Sequence, residues 1–326
     1  MNARLHWAIP FTAIPTFRMK LKPFCVLAAS TLAAVVVLAC RDESESTLQP
    51  SEVIADVTAP AILLAVGDIA GCPERYMDEA TAELVSELPG TIALLGDVVY
   101  QDGTRFEFRN CFDPSWGRVL DRSRPSPGNH EYRTDQAGPY YEYFGTRAGP
   151  SGRGYYTYKL GTWRIYSLNS ERNIPEQTAW LETHLAANPS KCILAYWHKP
   201  LYTGGRNPND STVRPLFDAL NRAGAEVVLN GHNHHYERFA PQDAFGNFMP
   251  KGGTREFVIG TGGSQLEEFV TVQPNSLVRY VAGWGVLRMT LSPGSYGWKF
   301  LPVLGAAEAD TGSANCSPLT KTARRQ

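Results

Sequence analysis

The chain is 326 residues long, 43% hydrophobic and 11% aromatic, which excludes a disordered or fibrous protein and leaves room for one large domain or two smaller ones. Residues 1–40 carry Arg4, Arg18, Lys20 and Lys22 and no acidic residue, so the rest holds 27 basic against 32 acidic side chains. A body near −5 has the opposite balance to a general nucleic-acid binder.

Met19-Lys20-Leu21-Lys22, followed by the apolar stretch from Pro23 to Ala39, reads as an export signal, with Met19 a candidate start. The stretch ends Val37-Leu38-Ala39-Cys40, similar to a lipoprotein cleavage box although Leu38 stands where a small residue is usual. Lipidation of Cys40, a short N-terminal anchor and ordinary cleavage all fit, and each places the body outside the cytoplasm: secreted, periplasmic or attached to a membrane. Residues 41–60, rich in Ser, Glu and Asp, read as a polar spacer with too little apolar surface to pack. Beyond the leader stand Cys72, Cys111, Cys192 and Cys316, with no C-x-x-C pair. Disulfides are expected in one of three connectivities, and Cys72 with Cys111 is favoured because both follow strand ends that the motifs below draw together.

A single domain is expected over 61–307, with a loose tail over 308–326 apart from any tie through Cys316. Ala61 to Val66 reads as a buried strand ending at Gly67-Asp68, Glu74 to Leu88 as a helix, and Thr91 to Leu95 as a second strand ending at Gly96-Asp97, together a βαβ unit. Tyr155 to Leu160 and Thr162 to Leu168 predict a hairpin around Gly161, Pro175 to Ala187 a helix opened by proline, and Lys191 to Trp197 another buried strand. Ser211 to Ala223 predicts a helix closed by Gly224; Glu226 to Asn230 is a strand, and Phe257 to Ile259, Gly285 to Leu291 and Tyr296 to Leu301 are late strands.

Several of these strands run into residues that carry chemistry. The run Val227-Val228-Leu229-Asn230 empties into Gly231-His232-Asn233-His234-His235-Tyr236-Glu237-Arg238. In an extended chain His232 and His234 point the same way, whereas on a helix they would diverge. Two imidazoles on one side of a strand end make half of a metal site. Oxygen donors are available elsewhere: Asp68 and Asp97 each follow a glycine at a strand end, where open α/β sheets hold their ligands. Tyr100 lies three residues beyond Asp97. Gly128 permits a tight turn presenting Asn129 beside His130, and His198 closes the strand before Lys199-Pro200. Taken singly, each residue has a plainer reading as a turn former, a helix cap or a surface group. Their joint order, each after an apolar run, makes chance a poor account.

That ordered set resembles the calcineurin-like metallophosphoesterase superfamily, and Tyr100 with Tyr236-Glu237-Arg238 makes it most similar to the purple acid phosphatase branch. Ser115-Trp116-Gly117-Arg118, Leu194-Ala195-Tyr196-Trp197-His198-Lys199-Pro200 and Val258-Ile259-Gly260-Thr261-Gly262-Gly263 agree with bacterial secreted members. The resemblance spans about Leu63 to Gly263 and implies an α/β fold, a four-layer sandwich of two mixed β-sheets flanked by helices. It implies a first metal held by Asp68, Asp97, Tyr100 and His234 and a second held by Asp97, Asn129, His198 and His232, with Asp97 bridging. A phenol of ordinary pKa about 10 binds as phenolate only to a strong Lewis acid, which favours Fe(III) at the Tyr100 site; the second site suits Zn(II), Fe(II) or Mn(II).

The implied reaction is hydrolysis of small phosphate monoesters by water activated between two cations, and the sequence holds neither a Gly-x-Ser-x-Gly elbow nor a P-loop. His130 is the candidate to contact the phosphate and protonate the leaving oxygen. The better-known purple enzymes place a further histidine between the regions of His198 and His232, and residues 199–231 contain none. His235 is the candidate substitute, although in an extended segment its side chain points away from that of His234. Glu131, Glu237 and Arg238 are expected to orient ligands, and the aromatic run Tyr140 to Phe144 to pack. Three further readings stay open: a phosphodiesterase or nucleotide-processing enzyme, an exported metal-binding or surface-interaction protein without catalysis, and an iron-dependent redox role, for which the sequence offers no electron partner.

Overall fold

In a computed structural model the described residues are 59–72, 76–150, 152–303 and 310–317, all within the unit 54–326. The leader with Cys40, and all but the end of the polar spacer, lie outside them. No helix among the described residues is long and apolar enough to cross a membrane.

The apolar runs pair into two large sheets. In the first, Ala61–Val66 lies parallel to Thr91–Leu95, which lies parallel to Ser123–Ser126. On its other side Ala61–Val66 meets Gly285–Ser292 antiparallel, and Ser295–Pro302 and Thr311–Asn315 complete six strands. The second sheet has seven, in the order Ser276–Tyr280, Tyr236–Phe239, Arg255–Ile259, Val227–Asn230, Ile193–Tyr196, Trp163–Ser167 and Tyr156–Leu160. Its four central strands are mutually parallel, so both faces must be covered, and the two innermost, Ile193–Tyr196 and Val227–Asn230, read as apolar runs.

Side-chain alternation shows where the layers meet. Val227 and Leu229 join Leu194, Tyr196 and Phe257 in the core shared with the six-stranded sheet. Val228, between them, points the other way, onto Leu181, Leu216 and Phe217 of helices Ile174–Ala187 and Arg214–Arg222. Helix Asp78–Ser86 buries Ala82 and Val85 against the first sheet's core. The result is two mixed sheets face to face with helices flanking them, as the resemblance implies.

Several expected elements shift. The first helix covers Asp78–Ser86 rather than 74–88, and Ser211–Val213 is a single 3-10 turn before the helix Arg214–Arg222. Ser123–Ser126 forms a strand although it contains Pro125; it lies at the sheet edge, where a missing N–H breaks no ladder. The aromatic run forms a short helix, Gly138–Phe144, with Pro139 in its first turn; it sinks Phe144 against Phe108 and Phe112 and Tyr140 against Phe144.

The expectation of a loose tail is wrong over residues 310–317. Thr311–Asn315 pairs along residues 295–299, and buried Asp310 accepts hydrogen bonds from the Tyr236 hydroxyl (2.6 Å), Arg238 Nε (2.6 Å) and Trp298 Nε1 (3.0 Å). Cys316 closes a disulfide to Cys192, and Cys72 pairs with Cys111, the connectivity favoured above. The tail's small polar residues concealed the strand because backbone pairing and a covalent tie, not apolar burial, hold it. Residues 318–326 lie outside the described residues.

Candidate metal centre

The centre sits where the carboxyl ends of the central strands of both sheets meet. Asp68, Asp97 and Asn129 follow Ala61–Val66, Thr91–Leu95 and Ser123–Ser126 of the first sheet. His198 and the pair His232 and His234 follow Ile193–Tyr196 and Val227–Asn230 of the second. Tyr100 ends a two-residue strand, Val99–Tyr100, paired with Ala70–Gly71. Three of these residues occupy the left-handed backbone region that non-glycine residues seldom adopt: Asp68 at φ 61°, Asp97 at 46° and His232 at 72°. Gly96, at φ 82°, lets the strand end approach His198 closely; a Cβ there would stand 2.7 Å from the imidazole.

All seven expected ligands face one small region. Asp97 Oδ2 lies 3.0 Å from His198 Nε2, which is 3.2 Å from both Asn129 Oδ1 and His232 Nδ1. Asp97, His198 and His232 each present a ligand atom within 4.8 Å of the others. Beside them the Tyr100 hydroxyl is 2.9 Å from Asp68 Oδ1 and 3.2 Å from His234 Nε2, with 3.4 Å between the last two.

The tautomers follow from the partners on the far side of each ring. His198 Nδ1 faces the Leu95 carbonyl at 2.8 Å and His234 Nδ1 faces the Gln265 carbonyl at 2.9 Å; a carbonyl only accepts, so these nitrogens carry the protons and Nε2 is left for a cation. Glu131, wholly buried, accepts from the backbone N–H groups of Asp97 (3.0 Å), Val98 (2.9 Å) and Gly128 (2.7 Å) and so fixes two ligand loops at once.

The electrostatics call for positive charge. Burial would hold the His198 and His234 rings neutral, but the carboxylates outweigh it: Asp97 lifts His198 to about 10, and Asp68 lifts His234 to about 9. Burial and the neighbouring His198 push His232 down to about 3. Burial works to raise the Asp97 carboxyl, yet the rings of His198 and His130 hold it well below the usual carboxylate range. The Tyr100 phenol is driven well above its ordinary value by burial and by the charges of Asp68 and Asp97, so only a cation beside it would free its proton. Among the described residues no Lys or Arg pairs with Asp68 or Asp97. Two buried carboxylates, three imidazoles, a phenol and an amide oxygen therefore fit hard or borderline metal ions, without needing thiolate ligands.

His130 stands at the mouth. Its Nδ1 hydrogen-bonds the Gln101 carbonyl, and its Nε2 lies 3.7 Å from Asp97 Oδ2. Its ring meets that of Tyr100 edge-on at 4.4 Å. His235 is a correction: the ring is 0% exposed, stacked on Phe269 at 4.0 Å with Nε2 3.6 Å from Glu237 Oε2, and no substrate in the cleft can touch it. It lies in the bends that precede the strand Tyr236–Phe239, not in the extended segment that the sequence suggested. Above the centre opens a polar cleft of about 540 Å³, floored by Tyr100, His130 and His234 and walled by Tyr76, Gln101, Arg133, Arg206 and residues 264–268. Sequence reasoning missed both arginines and the carbonyls of Leu95 and Gln265. A backbone carbonyl leaves no trace in residue type, and Arg206 lies outside the motifs.

A fold of this kind with oxygen and nitrogen ligands at its strand ends defines a metal-dependent phosphoesterase framework. The model of the calcineurin-like phosphoesterase family matches residues 62–236, more than half of the chain, and the chain belongs to that family. Among curated proteins it is 25% identical over 246 residues to purple acid phosphatase 15 of Arabidopsis thaliana, covering 63% of this chain and 46% of that protein. The chain thus spans about half the length of this relative. Among solved structures the fold matches purple acid phosphatase PPD1 of yellow lupin (Lupinus luteus) seeds with a TM-score of 0.68 at 14% identity, over 80% of this chain and 54% of that one. It also matches GAP50, the anchor in the inner membrane complex of Plasmodium, with a TM-score of 0.63 at 13% identity, over 80% and 90%.

Proposed function

We propose that the protein is an exported phosphatase that hydrolyses phosphate monoesters at a dinuclear metal centre. The observation that carries the reading is the convergence of all seven ligand-type side chains, from loops of both sheets, beneath one open polar cleft. Asp68, Tyr100 and His234 would hold one ion and Asn129, His198 and His232 the other, with Asp97 between them; Fe(III) suits the phenol-bearing site and Zn(II), Fe(II) or Mn(II) its neighbour. When bound, such a pair supplies activated water and neutralises charge on the phosphoryl group. The chain's own residues do the rest. Glu131 holds the Asp97 and Asn129 loops in register through four backbone hydrogen bonds. His130, with Nδ1 committed to the Gln101 carbonyl, turns Nε2 towards the site as a proton donor for the leaving oxygen. A cleft of this size admits a small phosphorylated molecule. Two disulfides and the apolar leader support an oxidising destination outside the cytoplasm.

The test is metal analysis of protein purified without added metal, followed by hydrolysis of p-nitrophenyl phosphate and bis(p-nitrophenyl) phosphate at equal metal loading. Turnover favouring the monoester supports the reading. Preference for the diester would make the protein a phosphodiesterase, and metal binding without turnover of either would leave it a non-catalytic relative.

A further inference from the structure

We propose that Arg206 binds the phosphoryl group of the substrate, presented by a loop that buried side chains grip for this purpose; the inference rests on the phosphoesterase reading of the centre. Residues 199–210 follow His198 and bring Arg206 to the wall of the cleft. Two buried acidic side chains and a buried amide hold this segment by its backbone. Glu256 Oε1 accepts from the N–H of Leu201 at 2.8 Å, and Glu237 Oε2 accepts from that of Gly204 at 2.7 Å. Asn233 Oδ1 accepts from the N–H of Asn207 at 2.9 Å. Glu237, Glu256 and Asn233 are all 0% exposed. The Asn207 side-chain amide in turn donates to the His232 carbonyl at 2.9 Å, so the loop is fastened to the metal-ligand segment itself.

Burying acidic side chains is costly, and the same segment could be closed by ordinary turn residues. What the grip achieves is the placement of Arg206. The residue sits next to the clamped Asn207 and lines the cleft over His130 and His234. Its side chain is 74% exposed, and its guanidinium stands 3.7 Å from Glu267, beyond hydrogen-bond length. Glu267 is anchored as well, its N–H donating to the His234 carbonyl at 2.9 Å. The other arginine of the cleft is differently engaged: Arg133 Nη1 donates to the Gln101 carbonyl at 3.1 Å, the same oxygen that His130 uses, and lies 3.6 Å from Asp102. Arg133 supports the His130 wall, while Arg206, loosely paired with Glu267 at 3.7 Å, offers its planar fork to an anion. Guanidinium and phosphate match in charge and geometry, and the donors strengthen as charge develops on the phosphoryl oxygens. In a stretch with no histidine, this loop supplies a cation of fixed charge instead.

Inorganic phosphate is the probe, titrated calorimetrically into the metal-loaded full chain, alongside kcat and KM for p-nitrophenyl phosphate. Arg206→Gln is expected to weaken phosphate binding about tenfold or more and to lower kcat/KM by about 10- to 100-fold at unchanged metal content, with Arg206→Lys recovering part of the loss. Asn207→Ala keeps the guanidinium but frees its mount, so adding Arg206→Gln to it should have much less effect than in the wild type. If Arg206→Gln, fully metallated, binds phosphate and turns over like the wild type, the inference is wrong although the hydrolase reading stands. If the wild type hydrolyses no ester yet binds phosphate through Arg206, the hydrolase reading fails and the inference survives. Effects of the two substitutions that simply multiply would overturn the role of the loop.

Discussion

Tyr100 couples its neighbours into one chemical unit. Its hydroxyl donates to Asp68 and approaches His234, and burial keeps it protonated unless a strong Lewis acid displaces the proton. Iron-loaded protein should therefore show a visible phenolate-to-iron absorption band that Tyr100→Phe abolishes; a spectrum unchanged by the substitution would remove iron from this position. His130 differs in kind, since it touches the mouth of the site without being needed to hold an ion. His130→Ala should slow monoester hydrolysis by about 10²-fold or more while metal content stays at the wild-type level. The positive φ of Asp97 bears on how its role is measured. Asparagine tolerates that backbone better than alanine does, so Asp97→Asn isolates the loss of charge and should deplete both ions, as elemental analysis would read. Most ligand types were legible in the sequence because they follow an apolar run ending at glycine or at a strand terminus; Asn129, after Ser123-Arg124-Pro125-Ser126, was legible only from Gly128-Asn129-His130. The fate of His235 was not legible: residues 232–235 form bends rather than an extended strand, and its burial against Phe269 depends on a segment distant in sequence.

Among the elements, the strand Arg255–Ile259 does more than fill the second sheet. Glu256 on it is wholly buried, its Oε2 meets no hydrogen-bond partner among the described residues, and burial pushes its carboxyl up to about 8. The folded state thus favours the protonated acid, and the sign follows. Between the ordinary carboxylate range and about pH 8 the native chain holds a proton that the unfolded chain has lost, so this group's contribution to stability falls as pH rises through that window. Glu256→Gln removes the titration. Wild-type Tm should drop between pH 5 and 8 more steeply than that of the variant, and parallel melting profiles would show that Glu256 is not the source. Elements with strong apolar runs, such as Ile193–Tyr196 and Val227–Asn230, were predictable from the sequence. Two others were hidden by their composition: Pro125 in Ser123–Ser126 and the small polar residues of Thr311–Asn315 mask strands that exist only because a neighbouring edge is available.

At the scale of the molecule, two devices tie distant parts of the chain. The Cys192–Cys316 disulfide closes a separation of 124 residues and pins the outermost strand of one sheet to the start of a strand in the other. The chain-entropy account gives such a crosslink about 5 kcal/mol, and native disulfides generally contribute about 2–5 kcal/mol. Cys192→Ser with Cys316→Ser should lower the denaturation midpoint accordingly, and an unchanged midpoint would show the bridge to be dispensable. The second device is the centre itself, whose ligands are divided between the sheets: Asp68, Asp97 and Asn129 from one, His198, His232 and His234 from the other. Adding Zn(II) or iron to chelator-treated protein should raise Tm, because an ion that binds only the closed arrangement stabilises it by mass action. The division also orders maturation. Neither half of the chain carries a complete set of donors, so a nascent polypeptide has nowhere to keep its ions, and loading waits until the last sheet has closed. On the proposed reading of the centre, the ions within reach when both sheets are in place would decide what it holds.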